Sequence, residues 1–216
     1  MSGGWLRAIL GRFDHFDLIA HHYDRLIRIA PDATDALAGL LAVAPGQTLL
    51  DVGGGTGRLA CGLAEAGVQV IVCDASPGMA RQARAKGLPA VVCDVGRLPF
   101  PSGQIARGLV VDAFHHFVNP SPQVAQPRAA AELLRVLAPG GRLVVEEPDI
   151  RRGSVKLIAA GEFLLLMGSR FLTSRALSDL FRAAGAPRAA IAEAGYAYRL
   201  VIETNTNQSH YPTDVA

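Results

Sequence analysis

The chain has 216 residues, a formal net charge of +2 and half of its residues hydrophobic. That length suits one compact domain with a sizeable core, and 19% charged residues is too few for a solvated, disordered polymer. The small positive excess is carried by arginine, with lysine only at Lys86 and Lys156, so no broad basic face is offered to a nucleic acid. In chain order, Leu18–Ile29 and Thr34–Leu41 read as two amphipathic helices separated by Pro31. Thr48–Val52 is a short, continuously apolar strand bounded by Pro45-Gly46 and by glycines. Thr56–Ala66 is a helix closed by Gly67, and Val68–Cys73 a second strand. Pro77–Lys86 is a helix with proline in its first turn and Gly87 as its stop. Ala90–Cys93 and Ile105–Val111 are the third and fourth strands, followed by a helix near Gln123–Leu137. Pro139-Gly140-Gly141 predicts a tight turn into a fifth strand, Arg142–Glu146. After a helix over Ser174–Ala184 come two strand-like runs, Arg188–Ala194 and Ala197–Glu203, joined by Gly195-Tyr196.

Strands alternating with helices call for a parallel sheet with right-handed crossovers. The last two strands are too closely joined for a crossover and must be antiparallel. The expected fold is α/β: a doubly wound, mostly parallel seven-stranded sheet, Rossmann-like, with a C-terminal antiparallel hairpin and a helical N-terminal cover. Residues 1–44 form the cover, 45–204 the core and 205–216 a flexible tail. Cys61, Cys73 and Cys93 form no CxxC pair, and their odd number suits a reduced, cytoplasmic interior. Met1–Gly4 leads into Trp5, Arg7 and Arg12 without the apolar core of a signal peptide. Leu157–Met167 is apolar but is interrupted by Gly161 and Glu162, so stable membrane insertion is not expected.

The most informative segment is Leu50-Asp51-Val52-Gly53-Gly54-Gly55-Thr56-Gly57-Arg58, which leaves a strand and enters a helix. Gly53, Gly55 and Gly57 remove β-carbons where backbone approaches a nucleotide-like ligand. The spacing is GxGxG, and Arg58 stands where the dinucleotide pattern needs glycine. No Gly-Lys-Ser/Thr follows, so the phosphate-loop pattern also fails. Acids sharpen the reading. Asp74 ends the second strand, 21 residues beyond Gly53, where a carboxylate accepts both ribose hydroxyls. Asp94 ends the third strand, where an acid can accept from an adenine amino group, and Asp51 suits the ammonium of an amino-acid tail. Together they fit a cationic, adenosine-bearing ligand without phosphates. The plainer alternative is that such acids cap helices.

DVGGGTGRLA, VIVCDAS, VVCDVGRLPFPSGQIARGLVVDAFHHF and ELLRVLAPGGRLVVEEP together resemble the class I S-adenosylmethionine-dependent methyltransferases. The resemblance is to the small-molecule branch (methyltransferase type 11) that includes the ubiquinone/menaquinone-biosynthesis C-methyltransferases. It covers roughly Phe13 to Glu203, and FDLIAHHYDRL is similar to the branch's opening helix over the cofactor. It implies S-adenosylmethionine held by Asp51, Gly53, Gly55, Gly57, Asp74, Ala75, Met79, Asp94, Val95, Asp112, Ala113 and Phe114. The segment after the fifth strand, which shapes the acceptor pocket, is shorter here than in the quinone enzymes.

A sulfonium is already activated, so such an enzyme chiefly aligns the acceptor and excludes water. His115 and His116 follow the fourth strand and are the candidate catalytic bases for a phenol, enol or amine. Packing or exposure of either is the plainer reading. Alternation sends Glu146 and Glu147 to opposite faces, so one reaches the site and the other is solvated or paired with Arg151 or Arg152. His15, His21, His22 and Tyr23 lie on the cover, where His22 and Tyr23 could line the acceptor; no metal site is expected from them. Cys73 and Cys93 precede matching acids and are expected to be small buried hydrophobes rather than a metalloid-binding thiol pair. Phe163–Met167 with Phe171 would wall an apolar acceptor pocket or touch a membrane surface, core or a dimer contact being the plainer reading. The expected activity is methyl transfer to a small, apolar or aromatic molecule, quinone-like or another secondary metabolite. The rivals are a non-catalytic, cofactor-binding partner subunit and a nicotinamide-dependent oxidoreductase.

Overall fold

A computed structural model describes residues 15–26, 33–164 and 168–206. The cover begins with α1 (His15–Ile19), α2 (Tyr23–Leu26) and α3 (Ala33–Leu41). The helix expected over Leu18–Ile29 is therefore broken: a turn at residues 20–22 separates two short pieces, and residues 27–32 lie outside the described residues. The core runs β1 (Thr48–Val52), α4 (Arg58–Glu65), β2 (Gln69–Asp74), α5 (Pro77–Ala85) and β3 (Ala90–Val92). It continues with β4 (Ile105–Val111), α6 (Pro122–Val136), β5 (Leu137–Pro148), α7 (Gly153–Leu164), α8 (Ser174–Ala183), β6 (Arg188–Ala194) and β7 (Ala197–Glu203). Short 3₁₀ turns at Val95–Arg97 and Phe114–His116 follow β3 and β4.

One seven-stranded sheet is formed in the order β3-β2-β1-β4-β5-β7-β6. β1 pairs in parallel with both β2 and β4, and β4 with β5, whereas β7 is antiparallel to β5 and β6. The strand order reverses between β1 and β4, and the crevice beyond their carboxyl ends is where an open α/β sheet binds ligands. One apolar cluster, with Leu50, Val110, Leu133, Val145, Phe181 and Leu200, fills one face of the sheet. A second, with Leu37, Leu41, Leu49, Leu63, Val70 and Val144, fills the other. Consecutive residues of β1 and β5 serve opposite clusters, as period-two alternation requires.

Two expectations need correction. Pro139-Gly140-Gly141 does not separate helix from strand; β5 starts at Leu137 and passes through the glycines as an irregularity. Its register jumps between Ile105↔Leu137 and Arg107↔Arg142, so the extra residues bulge out without ending the pairing. The third strand stops at Val92 rather than Cys93. Among the described residues no helix is long and apolar enough to cross a membrane. Residues 207–216 of the expected tail and residues 165–167 of the apolar run lie outside the described residues.

Candidate active site

The glycine loop after β1 is pinned to β2: the N–H groups of Gly53 and Gly54 donate to the Cys73 carbonyl at 2.7 and 3.3 Å. Gly53, Gly55 and Gly57 all have left-handed φ, at 72°, 57° and 75°. Their surroundings differ. A β-carbon on Gly53 would lie 2.5 Å from Ala113 Cβ, and one on Gly57 would lie 2.4 Å from Leu88 Cδ1. These two glycines therefore permit close packing inside the protein, and Gly53 also lines a cavity at the end of β1. Gly55 alone of the three faces open space, with only Met79 Sδ at 3.8 Å. Gly54, which the sequence pattern did not single out, sits over the Asp51 carboxylate, 2.5 Å from its Oδ2 were a β-carbon added.

Asp51 is buried on β1, and a small cavity above it is lined by Tyr23, Gly53, Gly54, Gly55, Arg58 and Asp112. Burial and then the neighbouring Asp74 charge push the Asp51 carboxyl up to about 7, against the pull of Arg58. Such a group is poised to meet a cation. Asp74 accepts the Gly55 N–H on Oδ2 at 2.9 Å and the Ser76 N–H on Oδ1 at 2.8 Å. It thus ties the loop to the start of α5. Ala75 beside it is exposed, and Met79 is buried beneath Gly55. Asp94 is exposed and accepts the Gly96 N–H at 2.8 Å, capping the turn that carries Val95.

The cover is fastened over this half by two acids that sequence reasoning missed. Asp17 accepts from the Ser76 hydroxyl at 3.1 Å and from the Gly78 N–H. Asp24 accepts from the Thr56 hydroxyl and pairs with Lys86, whose ammonium also donates to the Thr56 carbonyl at 2.9 Å. Arg58 lies 5.0 Å over the Tyr23 ring, closing the lid across the cavity. The signal was present in FDLIAHHYDRL, but nothing local tells a clamping aspartate from a solvated one. His21 and His22 are exposed and face each other, and the side chain of His15 lies outside the described residues.

The exit of β4 is organised by Glu147, buried at the end of β5. Its Oε1 accepts the N–H groups of Ala113 and Phe114 at 3.0 and 2.7 Å. Its Oε2 accepts the His115 N–H at 3.2 Å and lies 2.7 Å from His115 Nδ1. All these contacts need an acceptor, so Nδ1 carries a hydrogen. Asp112 stands at this corner with φ 52°, a left-handed conformation that aspartate tolerates better than most residues. Protein packed around it pushes its carboxyl up to about 6; His115 opposes that rise, while Glu147 and Glu162 add to it. Ala113 is buried against the glycine loop. The ring of Phe114, a residue expected to line the cofactor, is core, packed against Phe117 and Phe181.

His115 is 2% exposed, with Phe171 stacked on it at 4.2 Å and Glu162 Oε1 of α7 at 3.9 Å from Nε2. Burial lowers its proton affinity, but Glu147 outweighs burial and the net shift is upward. His116 goes the other way: burial first, then the His115 charge, hold it well below the ordinary histidine value. Its Nδ1 lies 3.0 Å from Ser169 Oγ, and its ring meets Phe16 at 4.8 Å. Tyr23, Phe16, His116, His115 and Phe171 thus form a continuous aromatic wall running from the cavity above Asp51. Glu146, on the other face of β5, pairs with Arg199. The arginines expected to serve it, Arg151 and Arg152, instead bind Asp149 and Glu193. Cys73 is fully buried, and its thiol is hydrogen-bonded to that of Cys93. A larger cavity of about 560 Å³ opens at the opposite end of the sheet among Arg107, Arg142 and Arg188, away from the strand-end acids.

Residues 50–145 match the methyltransferase domain family. A demethylmenaquinone methyltransferase of Thermus thermophilus is 33% identical over 214 residues, which covers 88% of this chain and 94% of the relative. A demethylmenaquinone methyltransferase of Beutenbergia cavernae is 37% identical over 139 residues, 61% of this chain and 55% of the relative, so the chain spans about half of that protein. Among solved structures, a SAM-dependent methyltransferase of Thermotoga maritima, named as a possible histamine N-methyltransferase, has a TM-score of 0.69 at 21% identity. That match covers 88% of this chain and 98% of that one. The fold and these relatives define a member of the class I S-adenosylmethionine-dependent methyltransferase family. The chain belongs to that family, in the branch of the ubiquinone/menaquinone-biosynthesis C-methyltransferases.

Proposed function

We propose that the protein transfers the methyl group of S-adenosylmethionine to a small, apolar or aromatic acceptor that carries a hydroxyl or enol, a quinone-like molecule being one such compound. The observation that carries this reading is the two-sided crevice at the β1/β4 switch. One side offers the buried Asp51 to an ammonium, open space beside Gly55, and Asp74 to the ribose hydroxyls. Asp94 and Val95 flank the adenine, and Ala75, Met79, Asp112 and Ala113 close the pocket around it. The other side presents the aromatic wall, with His115 and His116 where an acceptor would lose its proton. Methyl transfer breaks the carbon–sulfur bond and forms the new bond to the acceptor in one displacement, so alignment is the main requirement. The protein-named relatives that methylate demethylmenaquinone support a ring-shaped acceptor.

In the same reading the protein works on small molecules rather than nucleic acid, and its neighbouring reduced thiols suit the cytoplasm. A homodimer contact through the exposed Leu157, Ile158 and Phe163 of α7 accompanies it. The test is a screen of phenolic, enolic and quinol acceptors with methyl-labelled S-adenosylmethionine, products being identified by mass. Labelled product with an aromatic acceptor is expected. Binding of S-adenosylhomocysteine without turnover on any acceptor would point to a partner subunit, and binding of NAD in its place to an oxidoreductase. His115→Gln and His116→Gln should lower turnover by roughly 10²–10⁴-fold for whichever group takes the proton.

A further inference from the structure

The exit of β4 and the inner side of α7 bring three metal-ligating side chains together. One ligand atom from each of His115, His116 and Glu162 lies within 4.8 Å of the others. Each imidazole is committed through Nδ1: His115 at 2.7 Å to Glu147, and His116 at 3.0 Å to Ser169. The remaining nitrogen of each is Nε2. Glu162 Oε2 is buried and has no hydrogen-bond partner. Its Oε1 stands 3.9 Å from His115 Nε2, too long for a hydrogen bond. A proton shared between them would therefore leave the carboxylate poorly satisfied, and a buried bare acceptor is costly.

We propose that His115, His116 and Glu162 bind one divalent first-row transition-metal ion, of which zinc is the type case. Zinc takes imidazole nitrogen and carboxylate oxygen at about 2.0–2.2 Å, so its ligand atoms stand roughly 3–3.5 Å apart. The ligand atoms, within 4.8 Å of one another, would have to draw together by about 1 Å on binding. A carboxylate behind an imidazole, here Glu147 behind His115, orients the ring and raises its basicity toward a metal. Two imidazoles and one carboxylate favour zinc, cobalt, nickel or iron over magnesium and calcium, which prefer oxygen. Three protein ligands leave coordination positions open, the arrangement of catalytic rather than structural zinc. Among the described residues the cover histidines, by contrast, bring no third ligand.

Its bearing on catalysis rests on the methyl-transfer reading. An acceptor hydroxyl held on the ion would give up its proton to solvent more readily, and its electron pair would displace S-adenosylhomocysteine from the methyl carbon as the carbon–sulfur bond breaks.

The experiment uses the full chain after chelator treatment. Zinc is titrated calorimetrically, cobalt by its visible spectrum, and magnesium as a comparison; S-adenosylhomocysteine binding is measured on the same samples. Wild type should bind one zinc or cobalt ion per chain and show no comparable magnesium binding. Glu162→Gln and His116→Gln should each weaken that binding at least roughly tenfold. They should keep S-adenosylhomocysteine binding, which shows that the fold survives. His21→Gln/His22→Gln should leave the metal affinity unchanged. The proposal is overturned by absence of stoichiometric zinc or cobalt binding, by a preference for magnesium, or by full affinity in both ligand variants. Loss of binding in the cover-histidine variant alone also overturns it. Failure of the metal-free protein to bind S-adenosylhomocysteine would instead strike the methyl-transfer reading and leave the metal site standing.

Discussion

The two sides of the crevice are built by different means. On the cofactor side, loop and acids lie within a few dozen residues, and backbone geometry does most of the shaping: left-handed glycines, strand ends and helix starts. On the acceptor side, shape comes from one carboxylate reaching across 32 to 34 residues of chain. Glu147 on β5 fixes three successive N–H groups and one imidazole of the loop after β4. Backbone-shaped sites fail locally, through a β-carbon or a lost hydrogen bond to ligand. A site hung on a single buried carboxylate should fail as a unit.

That contrast sets the largest expected effect. Glu147→Ala leaves three backbone donors and His115 Nδ1 without their acceptor in a buried place. Destabilisation of about 3–5 kcal/mol is expected, the range for breaking a buried charged network. Urea denaturation measures it. A loss below about 1 kcal/mol would mean that the loop keeps its form without Glu147, and the contrast with the cofactor side would collapse.

Within the cofactor side, Gly57 and Gly55 should separate stability from binding. Gly57→Ala places its β-carbon against Leu88 at a left-handed φ, and about 2–3 kcal/mol of stability should be lost. Gly55→Val meets the same backbone strain but little protein, so its main effect should be loss of S-adenosylhomocysteine binding with the fold retained. Thermal unfolding and calorimetry on the two variants decide it. Equal loss of binding in both, with equal stability, would show that the loop's glycines act alike after all.

Asp74→Ala is intermediate. It removes a partner for the ribose hydroxyls and also the acceptor for Gly55 and Ser76. Cofactor affinity should fall by roughly 1.5–3 kcal/mol. Unchanged affinity by calorimetry would remove Asp74 from the ligand's contacts.

The difference between the two sides also explains what the sequence made legible. The alternation of strands and helices, the hairpin and the strand-end acids follow from local runs, such as TLLDV and VQVIVC, and from turn lengths too short for a crossover. The division of labour among the glycines was not legible, because whether a β-carbon meets Leu88 or open space depends on how α4 and α5 pack. Phe114 read as ligand-facing because it follows the strand end. The 3₁₀ turn that Glu147 enforces rotates its ring into the core. Asp17, Asp24 and Glu162 gave no local signal; each acquires meaning only from a partner brought near by folding. The fifth strand's passage through Pro139-Gly140-Gly141 was hidden for the same reason, since the pairing with β4 overrides a turn-like string.

The smallest effect, and the one that probes the cofactor side without mutation, concerns Asp51. Its folded-state carboxyl titrates near 7 because burial and Asp74 disfavour the charge. A folded value raised above the unfolded one means that ionising Asp51 costs stability. That cost is absent below the unfolded value, grows between about 4 and 7, and is constant above. An ammonium seated against Asp51 reverses the preference, so binding draws off the proton that Asp51 holds at low pH. Affinity for S-adenosylhomocysteine should therefore rise by up to about tenfold per pH unit below 7, about 1.4 kcal/mol each, and level off above it. Calorimetry at pH 6 in buffers of different ionisation enthalpy should show close to one proton released per ligand, falling toward none at pH 8. Asp51→Asn should bind weakly and lose that proton release. A wild-type protein whose affinity is flat from pH 6 to 8, with no proton released, would place the amino-acid tail away from Asp51.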